Sequence, residues 1–340
     1  MRVAVHIGGD CPVEIHEVPD PRPQAGEVVI EVGRCGICGS DIAMTSGSPF
    51  DYGHGRHLGH EYAGTVIELG KDVAGLAIGD RVAGLPQAGC GQCGSCRRGR
   101  PIFCAAVRPL FGGFGDYVAL PASAAIRLPQ SLSLADGALI EPIACGLRAL
   151  RLGGMQASDR VLVLGAGSMA MAIVYWARRL GAGSITVASR SAHRREAALA
   201  MGADRFHSFE EDDPRALEKA LAGGADVVAE CIGKPGALDQ ALAHVRIGGT
   251  VVVMGMCMQP ETLVPIRCTF REVRLIFPLA YSIEEFEATA RAFDGDGVRP
   301  ETIVSDVIAL DRLPAVLEEL RGGARMLKVQ VDPRREATHG

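Results

Sequence analysis

Short β-branched runs separated by glycine and proline fill the chain up to about Leu128: Glu27 to Val32, Ala63 to Leu69, Asp80 to Ala83 and Asp116 to Leu120. Each is strand length, so this part predicts a small β-rich domain. Gly137 to Leu152 carries a helical pattern, and from about Asp159 apolar runs alternate with amphipathic ones. The strands expected there are Arg160 to Leu164, Ser184 to Ser189, Val227 to Cys231 and Thr250 to Met254. Each is followed by helix or loop, the signature of a parallel doubly wound sheet, which makes the fold class α/β. From about Tyr281 the pattern returns to mixed helix and strand and ends in a polar tail, Arg334 to Gly340. No internal repeat and no low-complexity tract interrupts it.

At 340 residues the chain exceeds one typical domain and predicts two. With 48% apolar and 22% charged residues and a formal charge of -5, it offers no electrostatic reason to bind nucleic acid. Small molecules are the expected partners. Residues Val161 to Ala177 carry no formal charge, but Gly165, Gly167 and Ser168 break the run and Arg178-Arg179 close it, so it reads as a buried element rather than a membrane span. Eleven cysteines, an odd number, together with an N-terminus that lacks an apolar leader, argue for a reducing cytoplasm over a secreted disulfide framework.

Four of those cysteines, Cys90, Cys93, Cys96 and Cys104, are spaced C-x2-C-x2-C-x7-C. Thiols this close pair badly as disulfides but suit one tetrahedral zinc, and four thiolates leave no position for water or substrate. The expectation is a structural zinc lobe. Four metal-free buried thiols are the alternative.

Gly165-Ala166-Gly167-Ser168-Met169-Ala170 follows the apolar strand Val161 to Leu164 and opens the helical run Met171 to Leu180. Between a strand and a helix, G-x-G-x-x-A lets a pyrophosphate approach the backbone and rest on the helix N-terminus. The next strand ends in Ser189-Arg190, with no acid before Glu196. A carboxylate there would anchor the free ribose hydroxyls of NAD. Ser189, Arg190 and Arg194 would instead bind a 2'-phosphate, so NADP is favoured over NAD. The plainer reading of these arginines is solvated charge at a helix start.

Cys38-Gly39-Ser40-Asp41, Gly59-His60-Glu61, the four-cysteine lobe, Glu141-Pro142 and the glycine turn occur in this order along the chain. In that order the chain resembles the zinc-containing medium-chain alcohol dehydrogenases, closest in pattern to the sorbitol and threonine dehydrogenase branch. The resemblance implies a GroES-like catalytic domain over residues 1–145, completed by 284–340, and an inserted Rossmann domain over 146–283. It also implies a homodimer or homotetramer.

One thiolate, one imidazole and two carboxylates, from Cys38, His60, Glu61 and Glu141, suit a zinc with an exchangeable position. The resemblance carries the ligand roles onto these residues, for two zinc ions per chain. It also makes Ser40 the first proton-relay group and Asp41 the carboxylate that orients His60. Many relatives carry a relay histidine where this chain has Ala43, which leaves the onward proton to water, His54 or His57. Lys328 stands where similar proteins place a basic residue facing the cofactor phosphates; a solvated strand-end lysine is the alternative. Cys35 forms a C-x2-C pair with Cys38, but nothing around it resembles a thioredoxin-like redox unit. The segment Met44 to Leu58 is expected to help shape the substrate pocket.

The expected reaction is hydride transfer between a secondary alcohol, such as a polyol or sugar-like metabolite, or its ketone, and NADP. Three rivals remain: an NAD-dependent alcohol or threonine-type dehydrogenase, a metal-free reductase of activated double bonds, and a non-catalytic NADPH-binding sensor. The second would have no use for the donors at positions 38, 60, 61 and 141.

Overall fold

The computed structural model describes residues 1–8, 13–47, 53–295 and 297–336. Residues 48–52 of the pocket-shaping segment and 337–340 of the tail therefore lie outside the described residues. The chain divides into two compact units, Met1–Glu141 with Ser282–Gly295 and Val304–Gly340, and Pro142–Tyr281 with Asp296–Ile303.

The first unit is β-rich because its apolar runs are short and turn-bounded. Among its described residues, one sheet runs in the order Ala125–Arg127, Arg81–Gly84, Glu61–Leu69, Glu27–Gly36, Lys328–Asp332, Val304–Ala309, with Tyr117–Pro121 also paired to Glu27–Gly36. The ten-residue strand Glu27–Gly36 is its centre, and eight of its ten positions are buried. Two registers fix the later chemistry: Gly36 faces Glu61 on one side and Gln330 on the other. Glu61 and the start of the Lys328–Asp332 strand thus flank the end of the central strand. The chain then runs through Ile37 into the short helix Gly39–Ala43, with Cys38 as its N-cap.

The second unit carries a sheet of parallel pairs in the order Arg205–Ser208, Ser184–Ser189, Arg160–Leu164, Ala225–Glu230, Val245–Val253, Arg274–Ile276. The order reverses between Arg160–Leu164 and Ala225–Glu230, the switch point at which doubly wound sheets bind ligands beyond the strands' carboxyl ends. Leu162, Leu164, Val228 and Val251 are fully buried in its core, and Leu217 and Leu242 pack with them. The strand expected from Thr250 begins earlier, at Val245, and its Arg246 Nε donates to Asp226 Oδ1 at 2.5 Å.

Asp226 also accepts the Arg160 backbone N–H on Oδ2 at 2.8 Å, so one carboxylate ties together the starts of three adjacent strands. Burial alone would raise its pKa, but the hydrogen bonds and charges of Arg246 and Arg160 outweigh burial and hold it below the ordinary value. A folded pKa below the unfolded one stabilises the protein at pH values above the unfolded pKa, and this contribution is lost as pH falls through the folded pKa. Asp226→Asn is therefore expected to lower the thermal midpoint at pH 7, by an amount equivalent to about 1.5–3 kcal/mol. The gap to the parent should close below about pH 4; a gap unchanged between pH 7 and pH 3 would contradict this.

Among the described residues no helix is long and apolar enough to cross a membrane.

Candidate active site and metal centres

The lobe cysteines converge. Cys90, Cys93, Cys96 and Cys104 place their sulfurs within 4.8 Å of one another. Backbone N–H groups already point at them: Cys90 N donates to Cys104 Sγ at 3.4 Å, Cys93 N to Cys90 Sγ at 3.4 Å and Cys96 N to Cys93 Sγ at 3.5 Å. Such donors favour thiolate over thiol, and hydrogen bonds from the Gln92 and Cys93 backbone lead in pulling Cys90 down to about 6. Convergent sulfurs with preformed donors fit a tetrahedral zinc and leave no fifth donor for chemistry.

A second group forms where the central strand ends. Cys38 Sγ, a His60 ring nitrogen and a Glu61 carboxylate oxygen also lie within 4.8 Å of one another. Each is positioned by a different local device. Cys38 is fixed because its backbone N–H donates to Asp41 Oδ2 at 2.9 Å, closing the helix start. Asp41, fully buried, sets its other oxygen 3.3 Å from His60 Nδ1. That leaves Nε2 on the side of Ser40, whose Oγ is 3.5 Å away. Burial would lower the His60 pKa, but the Asp41 charge beside it, with Cys38, raises it well above its ordinary value. A thiolate, an imidazole oriented by a carboxylate and a buried carboxylate are a donor set that fits zinc.

Glu141, expected to belong with these donors, does not join the three-donor group; it sits in the first turn of Ile140–Gly153 and is buried. Its charge is nonetheless felt at Lys328. Cys35 is buried in the central strand, where desolvation pushes its thiol well above the usual value, so it packs as an inert apolar group.

Lys328 is not a solvated strand-end lysine: its side chain is 1% exposed, and its Nζ donates to Glu61 Oε1 at 2.9 Å, Glu61 Oε2 at 2.7 Å and Ile37 O at 2.9 Å. An ammonium has three donors, and all three are used. Burial would lower its pKa, but Glu61's charge leads the interactions that hold it above the ordinary value. Gly36 makes room for this pair, because a Cβ there would fall 2.1 Å from Glu61 Oε2.

The glycine turn closes the strand Arg160–Leu164. Gly165 adopts φ +97°, which disfavours any side chain, and a Cβ would also sit 3.0 Å from the Cys231 carbonyl oxygen. Helix Ser168–Arg179 follows with Gly167 as N-cap and no side-chain cap, and Ala170 and Met171 are buried behind it. A bare, uncapped helix start after a left-handed glycine fits a pyrophosphate. Ser168 and Met169 form its first turn. Arg194 reaches back over this turn, donating from Nη1 to Ala166 O at 3.2 Å. Arg190 behaves differently: its side chain is 86% exposed and its Nε lies 3.5 Å from a Glu210 carboxylate oxygen.

The Alcohol dehydrogenase GroES-like domain model matches residues 24–130 and the Zinc-binding dehydrogenase model residues 167–294. A sorbitol dehydrogenase of Bacillus subtilis is 35% identical over 268 residues, covering 76% of this chain and 75% of that protein. Among solved structures, a zinc-binding dehydrogenase of Sinorhizobium meliloti bound to NADP has a TM-score of 0.86 at 29% identity, covering 98% of this chain and 99% of that one. The 2R,3R-butanediol dehydrogenase of Bacillus subtilis has a TM-score of 0.87 at 26% identity, with coverage of 98% and 99%. The chain thus belongs to the zinc-containing medium-chain alcohol dehydrogenase superfamily, beside the sorbitol dehydrogenases, and is an alcohol or polyol dehydrogenase.

Proposed function

We propose that this enzyme interconverts a secondary alcohol of a polyol or sugar-like metabolite and its ketone, with NADP preferred over NAD and two zinc ions per chain. The observation that carries this reading is the convergence of Cys38, His60 and Glu61 with Asp41 behind the imidazole. In this reading Cys38 and His60 hold the reactive ion and a carboxylate from Glu61 or Glu141 exchanges at it, while Cys90, Cys93, Cys96 and Cys104 hold the structural one. When bound, zinc supplies Lewis acidity toward the substrate hydroxyl and the nicotinamide supplies the hydride acceptor or donor. Ser40 takes the hydroxyl proton at its Oγ and passes it outward, and Asp41 keeps His60 in one tautomer and orientation. The pyrophosphate rests on Gly165, Gly167, Ser168, Met169 and Ala170. Ser189, Arg190 and Arg194 receive the 2'-phosphate, a role supported for Arg194 by its approach to the turn.

The sorbitol and butanediol specificities of the relatives, together with the NADP held by one solved neighbour, support this substrate and cofactor class. A coupled assay of metal-replete protein against polyols, sugars, amino alcohols and simple alcohols tests it. Turnover of vicinal or polyol secondary alcohols with NADP is expected. Tight NADPH binding without turnover across the whole panel would point instead to a sensor. A separate expectation concerns the lobe. Cys93→Ser should remove one zinc per chain and lower the thermal midpoint or the yield of assembled protein, because that ion contributes folding free energy and touches no reacting bond. A stable, fully metallated Cys93→Ser protein would contradict the assignment.

A further inference from the structure

We propose that Arg321 and Thr45 are positioning residues for the reactive site, joined in a hydrogen-bonded path that ties the helix Gly39–Ala43 to the helix Leu313–Arg321 and so sets where Cys38, Ser40 and Asp41 stand. Their role at the ion rests on the zinc assignment just given. The path starts at a partly exposed guanidinium and ends on the donors. Arg321 Nη2 donates to Thr45 Oγ1 at 3.0 Å, Thr45 Oγ1 donates to Asp41 O at 2.6 Å, and the Asp41 carboxylate meets His60 Nδ1 and the Cys38 backbone N–H. The donor directions agree along its length. A hydroxyl has one hydrogen, here committed to Asp41 O, and its lone pairs are left to accept from the guanidinium.

The helix needs such a strap. Its five residues are too few to hold their own geometry, and no basic residue stands in its last turn. Its end carbonyls therefore need donors from elsewhere. Arg321 supplies them from 276 residues away in sequence, with Nη2 also 3.3 Å from Ile42 O and 3.2 Å from Thr45 O. Its positive charge suits the carbonyl end of a helix. Glu318, one turn earlier on the same helix as Arg321, accepts from Nη1 and holds the guanidinium in place. Thr45 is 1% exposed and Asp41 0%, so the middle of the path is dry, and breaking it strands a buried polar group.

What the strap fixes is chemical as well as structural. Ser40 and Asp41 lie on either side of one imidazole, with Ser40 Oγ 3.5 Å from His60 Nε2 and Asp41 Oδ1 3.3 Å from Nδ1. A small rotation of this helix moves both groups against the ring, and Cys38 with them, without unfolding anything. The donor geometry and the proton-accepting hydroxyl should therefore respond before the fold does.

Cobalt(II) is the probe, added to full-length protein whose exchangeable ion has been withdrawn by a chelator mild enough to leave the lobe zinc. Its absorption bands read the donor geometry. The variants are Thr45→Val, which keeps the shape and drops the hydroxyl, Thr45→Ser, which keeps the hydroxyl, Arg321→Met, and Thr45→Val with Arg321→Met. Thr45→Val and Arg321→Met should each shift the cobalt bands and lower kcat for a secondary alcohol about 10-fold, with NADPH affinity unchanged. Thr45→Ser should keep the parental spectrum and kcat. The double variant should be no slower than the slower single one, because the path is already broken. Should either single variant fail to fold, the other decides by the same two readouts. A parental spectrum and kcat in a folded single variant overturn the proposal, as do losses that Thr45→Ser shares equally or single effects that multiply in the double variant. A parent chain that takes up no cobalt at this site removes the zinc assignment itself and overturns both readings.

Discussion

Cys38→Ser is expected to abolish nearly all alcohol oxidation while leaving the fold and the lobe metal in place. Cys38 is half-buried at the N-cap of Gly39–Ala43, in a capping box where its backbone N–H donates to Asp41 Oδ2 and its side chain faces the Asp41 backbone N–H, a place a serine hydroxyl fills as well. Replacing sulfur by oxygen therefore spares that local contact. It removes the one soft anionic donor among the three that converge, and a serine hydroxyl is a poor zinc ligand at neutral pH. Lewis-acid stabilisation of the developing alkoxide is worth several kcal/mol, so kcat/KM should fall by about 1000-fold or more. Elemental analysis should show loss of one zinc per chain. Full turnover after loss of that ion would exclude the Lewis-acid mechanism.

Cofactor choice should respond next most strongly. Ser189 ends the strand Ser184–Ser189, and a carboxylate at that point would both repel a 2'-phosphate and accept ribose hydroxyls. Ser189→Asp is expected to shift the NADP to NAD ratio of kcat/KM by about two orders of magnitude, enough to reverse or nearly reverse the preference. Arg190→Ala should shift it less, by about one order. Its guanidinium is largely solvated and already stands near Glu210, which weakens any single charge contact. Parental preference for NAD, or ratios indifferent to both substitutions, would refute the reading of this strand end.

The glycine turn and the four-cysteine lobe were legible because each is a short-range pattern, whereas Cys38 and the adjacent His60 and Glu61, more than twenty positions apart, were brought together by their donor chemistry and by the resemblance. A left-handed glycine between strand and helix, or four cysteines within fifteen positions, is constrained by local geometry alone. Most strands were legible from β-branched runs, though Val245–Val253 begins before its apolar part, where Arg246 is held by Asp226. Arg205–Ser208 carries arginine, histidine and serine around one phenylalanine and offers no alternation to read, yet it pairs with Ser184–Ser189. The ion-pair partner of Lys328 was hidden for a different reason. That partner lies 267 residues earlier, and only the sheet register that sets Lys328–Asp332 beside Glu27–Gly36 brings them together. Glu141 was set with the zinc donors by its chemical type and by the resemblance, neither of which encodes its distance from Cys38, His60 and Glu61.

The most direct test measures metal content and turnover on the same samples as the exchangeable ion is withdrawn by a chelator and then returned as zinc. If Cys38 and His60 hold the reactive ion, NADP-linked oxidation of a secondary alcohol should fall in proportion as zinc drops from two to one per chain, and recover in proportion on return. Turnover that persists with only the lobe zinc present would contradict the account.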